Sequence, residues 1–273
     1  MSNPFWNAVT EFVQTMFLDN ESQQTLFSKS CMLGKVEMVH LMLTICEIVP
    51  FVINCAFRWA SSNGHVDVVD RLLQESKLNP SDNDNDAFQL ASHNRHIDVI
   101  DRLLQDDRID PTADNNYAFR CASRNGHVDV VNRLLQDKRV DPSYFKNYPI
   151  RWASQNGHTA VIDRILRDDR IYSVYGFNIS ITNASHQGHI SVVEILLQND
   201  RIDPSYENNA AFRWASQYGH IAVVNRLLQD NRVDPSDLDN DALLLASQNG
   251  HTDVVNRLLQ DIRVSSRIEL NKT

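Results

Sequence analysis

Seven histidines, His65, His96, His127, His158, His189, His220 and His251, follow one another at a step of 31 residues without a slip. The same step relates Asn54, Asn85, Asn116, Asn147, Asn178, Asn209 and Asn240, and again Ala60, Ala91, Ala122, Ala153, Ala184, Ala215 and Ala246. A fixed period of a few tens of residues marks a stacked array of small units, not a chain folded about one central core. One unit, residues 116–144, reads NYAFRCASRNGHVDVVNRLLQDKRVDPSY.

Each unit parses into two helices and a turn. Asn116 is placed as an N-terminal cap or turn residue, and Ala118 to Ser123 as a short first helix. Gly126 ends that helix, because a residue without Cβ enters the left-handed region at no steric cost. The second helix is expected from about Val128 to Asp137, with Val128, Val131, Leu134 and Leu135 forming one apolar stripe. Asp141-Pro142-Ser143 then opens a turn, since proline disfavours helix in the residue before it. Asp129/Arg133, Asp67/Arg71, Asp98/Arg102 and Asp253/Arg257 stand four apart and are expected to pair on a solvated outer face. One such unit cannot bury its own stripe; neighbours do, which gives an all-α solenoid of helix pairs with short connecting loops.

The two ends depart from the pattern. Phe27, Gly34, Lys35, Val39, Met42 and Leu43 match Phe57, Gly64, His65, Val69, Leu72 and Leu73 at a step of 30, so residues 21–50 read as a degenerate first repeat. A further step back places Trp6, Val9, Phe12 and Val13 on an outer-helix stripe behind the start signal Asn3-Pro4. Residues 1–20 therefore read as an N-terminal capping helix. Seven regular repeats occupy 51–267, and 268–273 form a tail. The last repeat keeps the interior stripe Val254, Val255, Leu258 and Leu259, although terminal repeats normally acquire a polar outer face. Either RVSSRIELNKT folds back as a lid, or this end meets a partner or a second copy of the chain.

At these residues the chain resembles the ankyrin-repeat family, whose motif runs T-P-L-H-x-A, then A-x-x-G-H, then a V-x-x-L-L helix. The Gly-His step matches at Gly64-His65, Gly126-His127, Gly157-His158, Gly188-His189, Gly219-His220 and Gly250-His251. The tetrapeptide is eroded to Tyr117-Ala118-Phe119-Arg120 and Tyr148-Pro149-Ile150-Arg151. Its histidine slot holds Arg58, Gln89, Arg120, Arg151, Thr182, Arg213 and Leu244. The period is also shorter than the family's usual 33 or so, which resembles the repeats of large-virus and protist ankyrin proteins. The resemblance implies an interaction module, with loop tips and inner helices lining a concave face that holds another protein.

Composition closes off other classes. Against 26 Lys and Arg stand 35 Asp and Glu, a net charge of -9 with no basic run, which argues against nucleic acid. No stretch approaches the length of a membrane span, the polar face at the N-terminus is not basic, and no secretory leader is evident. Four cysteines without metal-ligand spacing read as reduced thiols, so the chain is placed in the cytoplasm or nucleus. Adjacent repeats lie about 10 Å apart, too far for the histidine column to share a metal, and each ring is expected to bond locally. No phosphate loop, nucleophile motif or recurring carboxylate pair appears. No enzyme activity, metal or cofactor is expected.

What varies between copies is free of the shared packing task. The three residues before each asparagine differ in every copy, and the central ones are aromatic. By the resemblance, the partner-binding candidates are Tyr144, Phe145, Lys146, Arg151, Trp152, Tyr175, Phe177, Tyr206, Arg213 and Trp214. Two alternatives stay open: the tip rings pack against neighbouring repeats, and the tryptophan column is core. Residues 172–187 are irregular, since Tyr172-Ser173-Val174 replaces Asp-Pro-Ser and ISITNASHQGH has lost both the arginine and the aromatic. Self-association through the C-terminal end is the second reading of function.

Overall fold

The computed structural model describes residues 19–171 and 174–270. Only helices and turns occur among them. The expected capping helix at 4–18 lies outside the described residues. The chain divides into two compact units, residues 1–118 and 119–273.

In the first unit the pairs are Asn20–Met32 with Val36–Ile45, Pro50–Ser62 with Val66–Leu73, and Asp82–His93 with Ile97–Leu103. The inner segment Ala113–Asn125 spans the division. In the second unit, Val128–Gln136 is followed by Tyr144–Gln155 with Thr159–Leu166, Val174–Gln187 with Ile190–Leu197, Tyr206–Gln217 with Ile221–Leu228, and Asp237–Gln248 with Thr252–Leu259. Within each unit inner helices pack on inner helices and outer on outer. Of the expected stripe Val131, Leu134 and Leu135 are buried, but Val128 is only half-buried and Val130 takes its place in the core, as Val223 does with Val224 and Leu227 in another outer helix.

The fixed columns join each repeat to the one before or after it. The His96 Nε2–H donates to the Ser62 carbonyl at 2.8 Å, and His158 and His220 do the same to Arg124 and His186 at 2.8 and 2.9 Å. A carbonyl only accepts, so Nε2 carries the proton in each ring. The ring lies over the preceding repeat's glycine: a Cβ on Gly188, which sits at φ +76°, would stand 2.6 Å from His220 Nδ1. Glycine is thus favoured twice, by the left-handed backbone and by the imidazole above it, although Arg95 holds the equivalent place at φ 65° in one copy.

The asparagine column works in the other direction. Of the two roles the sequence offered, cap or turn residue, the turn is the one observed at Asn85, Asn116, Asn209 and Asn240. The buried Oδ1 atoms of Asn85, Asn178 and Asn209 accept the backbone N–H of Asp110, Asp203 and Asp234, the turn aspartates of the following repeat, at 2.9–3.0 Å. Those aspartates hold their own turns by accepting from Thr112, Ser205 and Ser236. A third joint, missed in the sequence reading, is an arginine column. Arg170 pairs with Asp168 and donates back to the Val140 and Leu135 carbonyls at 2.8 and 2.9 Å; Arg263 does the same with Asp261, Val233 and Leu228. The signal was present as Arg108, Arg139, Arg170, Arg201, Arg232 and Arg263, again 31 apart.

One expectation needs correction. The outer-face arginines do not all close ion pairs within their own helix: Arg102 reaches Asp70 and Arg257 reaches Asn225, each one repeat back, while Arg71 takes Glu75 and His40. For Arg102 and Arg257 the relevant neighbour is on the stacked helix, 32 residues back. At the C-terminal end the lid alternative is the one observed. Ile262–Leu270 forms a helix packed on the last pair, with Val264 fully buried and Arg267 bonded to Asp239. Ile262, at 76 % exposure, and Leu259 remain open beside it.

The tips come in two forms. In four copies three consecutive residues are left-handed: 83–85, 114–116, 207–209 and 238–240, each with φ between 46° and 66°. Asparagine and aspartate tolerate that region best of the non-glycine residues, and they dominate these turns. Each turn is closed by the column asparagine's own N–H, as in Asn209 to the Ser205 carbonyl at 2.9 Å. Where an apolar residue precedes the asparagine, as with Ile53 and Phe177, the helix stays right-handed over the described residues and that side chain is buried.

Candidate functional site

The inner helices of the second unit carry a surface that the joints do not use. Phe119, Ile150, Ile181 and Phe212 point inward and are fully buried, as are the column alanines. Two and five residues along, helical geometry turns the side chains away from that buried stripe. There stand Trp152, Gln155, Asn183, His186 and Trp214, together with Arg124 and Tyr218 from the helix ends.

Two aromatic clusters form on this face. In one, the Arg124 guanidinium lies 4.6 Å from the centroid of the Trp152 ring, whose other neighbour is Tyr148 at 5.6 Å. Arg120 and Arg151 approach the same Tyr148 ring at 5.8 and 5.9 Å. In the other, His186 meets Trp214 edge-on at 5.3 Å and Tyr218 at 4.5 Å, and Trp214 stacks with Tyr218 at 6.0 Å. Trp214 is 37 % exposed. Between the clusters lies a hollow of about 250 Å³ lined by Gln155, Thr182, Asn183, His186, Gln187 and Trp214.

Charge on this face is one-sided. The segments 119–125, 144–155 and 174–187 contain no aspartate or glutamate, while Arg120, Arg124, Lys146 and Arg151 lie on them. Among the described residues neither Arg124 nor Arg151 has a carboxylate partner, and the Arg151 Nε is buried without a hydrogen bond. Arg213 differs. It donates to the Asn208 and Glu207 carbonyls of its own left-handed tip at 2.9 and 3.2 Å and pairs with Asp241 at 3.2 Å. The first unit is balanced in the same way: Arg58 pairs with Asp86, and Gln89 donates to the Asp84 carbonyl. Trp59 is 39 % exposed there.

The sequence candidates therefore separate. Trp152, Trp214, Arg151 and Arg213 share this inner face, and the tryptophan column is surface, not core. Phe177 is fully buried with the Arg201 guanidinium 5.0 Å above its ring, so at that tip the packing alternative applies. Tyr206 is half-buried. The side chains of Tyr144, Phe145, Lys146 and Tyr175 lie outside what the structure describes. His186, Tyr218, Arg124 and Asn183 were missed. Tyr218 stands in a column otherwise filled by Asn63, Asn94, Asn125, Asn156, Gln187 and Asn249, and that single aromatic departure was the available signal.

Other features offer less. A hollow of about 500 Å³ lies along the outer helix Val36–Ile45 and includes His40, Leu41 and Arg71. It belongs to the kind of helix face on which other outer helices stack. Among the described residues no group of His, Cys, Asp and Glu is arranged to hold a metal, and the column imidazoles are committed to carbonyls. Burial pushes the Cys31 thiol up to about 12, away from the reactive thiolate. No helix among the described residues is long and apolar enough to cross a membrane.

A family model described as ankyrin repeats, three copies, matches residues 57–145, 118–208, 150–239 and 181–268, well over half of the chain. No curated protein matches it.

Proposed function

This chain belongs to the ankyrin-repeat family, and from that premise we propose that it holds a partner protein against the inner-helix face of residues 119–218. Repeats of this family are typically protein-interaction modules and generally non-catalytic. The reading supposes a scaffold, adaptor or decoy inside the cell, not an enzyme, with the short period of the large-virus and protist type. The observation that carries it is the pair of half-open tryptophans, Trp152 and Trp214, with two arginines that lack carboxylate partners, Arg124 and Arg151, around Trp152 and Tyr148. Aromatic and arginine side chains are the residues that dominate binding energy at protein interfaces. Packing does not account for leaving them outward. The tip side chains Tyr144, Phe145, Lys146, Tyr175 and Tyr206 are proposed as the flank of the same surface.

The test is capture from host cytosol with the whole chain, beside a Trp152→Ser, Trp214→Ser double variant shown by its melting curve to be folded. A protein retained by the natural chain and lost by the variant supports the reading. Equal capture by both removes it.

The second reading, self-association, is favoured by the open Leu259 and Ile262 at the C-terminal helix. Mass measured against concentration separates the two, since only self-association raises it.

A further inference from the structure

The hollow beside Trp214 exists because one repeat departs from its neighbours. In the column of Trp152 and Trp214 the intervening residue is Asn183, and in the column of Arg151 and Arg213 it is Thr182. A tryptophan at 183 would fill the space that the smaller asparagine leaves. Thr182 turns its hydroxyl back to the Asn178 carbonyl at 3.1 Å, so it does not reach across the opening as arginine would. The irregularity noted in the sequence at 172–187 thus has a defined product: a notch with a flat aromatic wall and an amide floor.

Its chemistry is specific. One wall is the Trp214 ring, held by His186 and Tyr218. The remainder is the amide and hydroxyl surface of Gln155, Asn183, Gln187 and Thr182. A ring that is apolar on its faces and polar at one end satisfies both. The approach is cationic. Arg124 stands one repeat before Gln155 in its column, and Arg151 one repeat before Thr182. Neither has a carboxylate partner among the described residues, and the segments 119–125 and 144–155 hold no acidic side chain in a chain of net charge -9. Such local reversal of sign favours a partner of opposite charge and repels a basic one.

We propose that this notch is a docking site for an acidic segment of a partner protein, which inserts a tyrosine side chain against Trp214 while flanking carboxylates meet Arg124 and Arg151. The proposal rests on the inner-face reading and narrows it to one anchor and one charge.

The probe is a set of fluorescently labelled peptides in which Tyr, Phe or Ala stands between Glu-Asp flanks, beside the same set with Lys flanks, titrated with the whole chain. The acidic Tyr peptide should bind saturably and about tenfold or more tightly than its Ala or Lys counterpart, the loss expected for one interface anchor. Asn183→Trp restores the side chain found in the neighbouring repeats, so the fold accommodates it. It should bring the Tyr peptide down to the level of the Ala peptide. Arg124→Ser with Arg151→Ser should remove the preference for acidic flanks and leave Tyr ahead of Ala. Absence of saturable binding by the acidic Tyr peptide, equal binding of Lys-flanked peptides, or indifference to Asn183→Trp overturns the proposal. A cytosolic partner lost with the tryptophan double variant but kept by Asn183→Trp would overturn the notch alone and leave the wider face standing.

Discussion

The inner segments 174–187 and 206–217 are consecutive copies of one element, and they differ most at the tip. At 206–217 the chain turns left-handed through Glu207, Asn208 and Asn209, and all three lie near φ 55°. At 174–187 no described residue is left-handed; Phe177 goes into the core instead, and Ser180 and Thr182 bond back to the Gly176 and Asn178 carbonyls within a right-handed helix. Yet Asn178 and Asn209 make the same bond to the next repeat, at 2.9 and 3.0 Å. The joint is therefore independent of the handedness of the tip. What selects the hand is whether the residue before the asparagine gains more from burial or from an exposed turn. Arg213 caps the carbonyls of its left-handed tip, whereas Thr182 bonds back to the Asn178 carbonyl within its own helix.

The strongest challenge to this account is Phe177→Asn. It removes a fully buried ring and supplies the residue type found at the left-handed tips. Urea unfolding should show a loss of about 3 kcal/mol, the scale of deleting a core phenylalanine. A loss below about 1 kcal/mol would mean that burial does not set the hand.

Next in size is the joint itself. Asn178→Ala and Asn209→Ala should each cost about 1–3 kcal/mol, because each strands a buried backbone N–H of the next turn. Asn209 also donates to Asp237 and should be the larger of the two. If Asn178→Ala were neutral, the two tips would not share the joint, and the comparison would break.

A smaller change runs in the other direction. Leu238 is held at φ 50° and is 50 % exposed, so it bears left-handed strain without burial in return. Leu238→Asn should raise stability by about 1 kcal/mol in the same unfolding measurement.

The least effect concerns acid. The hydrogen bond from the Arg232 side chain lowers the pKa of Asp230, and Arg170 and Arg263 do the same to Asp168 and Asp261. A depressed carboxylate contributes stability above its unfolded pKa of about 3.9, which is lost as pH falls through the lower folded value. Arg232→Met should lower the melting temperature at neutral pH, and the gap from the natural chain should narrow below pH about 4. A gap that widened in acid would contradict the sign.

Much of this fold was legible because period alone dictates it. The helix pairs, the stripe of Val and Leu, the Gly-His step and the Asp-Pro-Ser turn all follow from local rules at 31-residue intervals. The bonding partners were not. Asn209 reaches 25 residues forward, while Arg170 reaches 30 and 35 residues back, and a column records that a residue recurs without recording which neighbour it touches. The site was half legible for a related reason. Trp152 and Trp214 were visible as large residues in a tolerant column, but His186 and Tyr218 gain meaning only from lying beside Trp214 across a repeat.

One consequence of the joints reaches beyond stability. The column histidine, asparagine and arginine all bond to main-chain atoms of the adjacent repeat: a carbonyl at Ser62 or His186, an N–H at Asp203, a carbonyl at Val140. Every residue but proline offers both groups, so beyond room for the imidazole over the glycine a joint demands no matching side chain opposite. A 31-residue stretch copied or excised in the gene would carry its own half of each joint and find the other half ready in whichever repeat became its neighbour. Such an array can lengthen, shorten or exchange its members without co-ordinated mutation. One copy, such as the one bearing Asn183, is then at liberty to acquire a shape of its own.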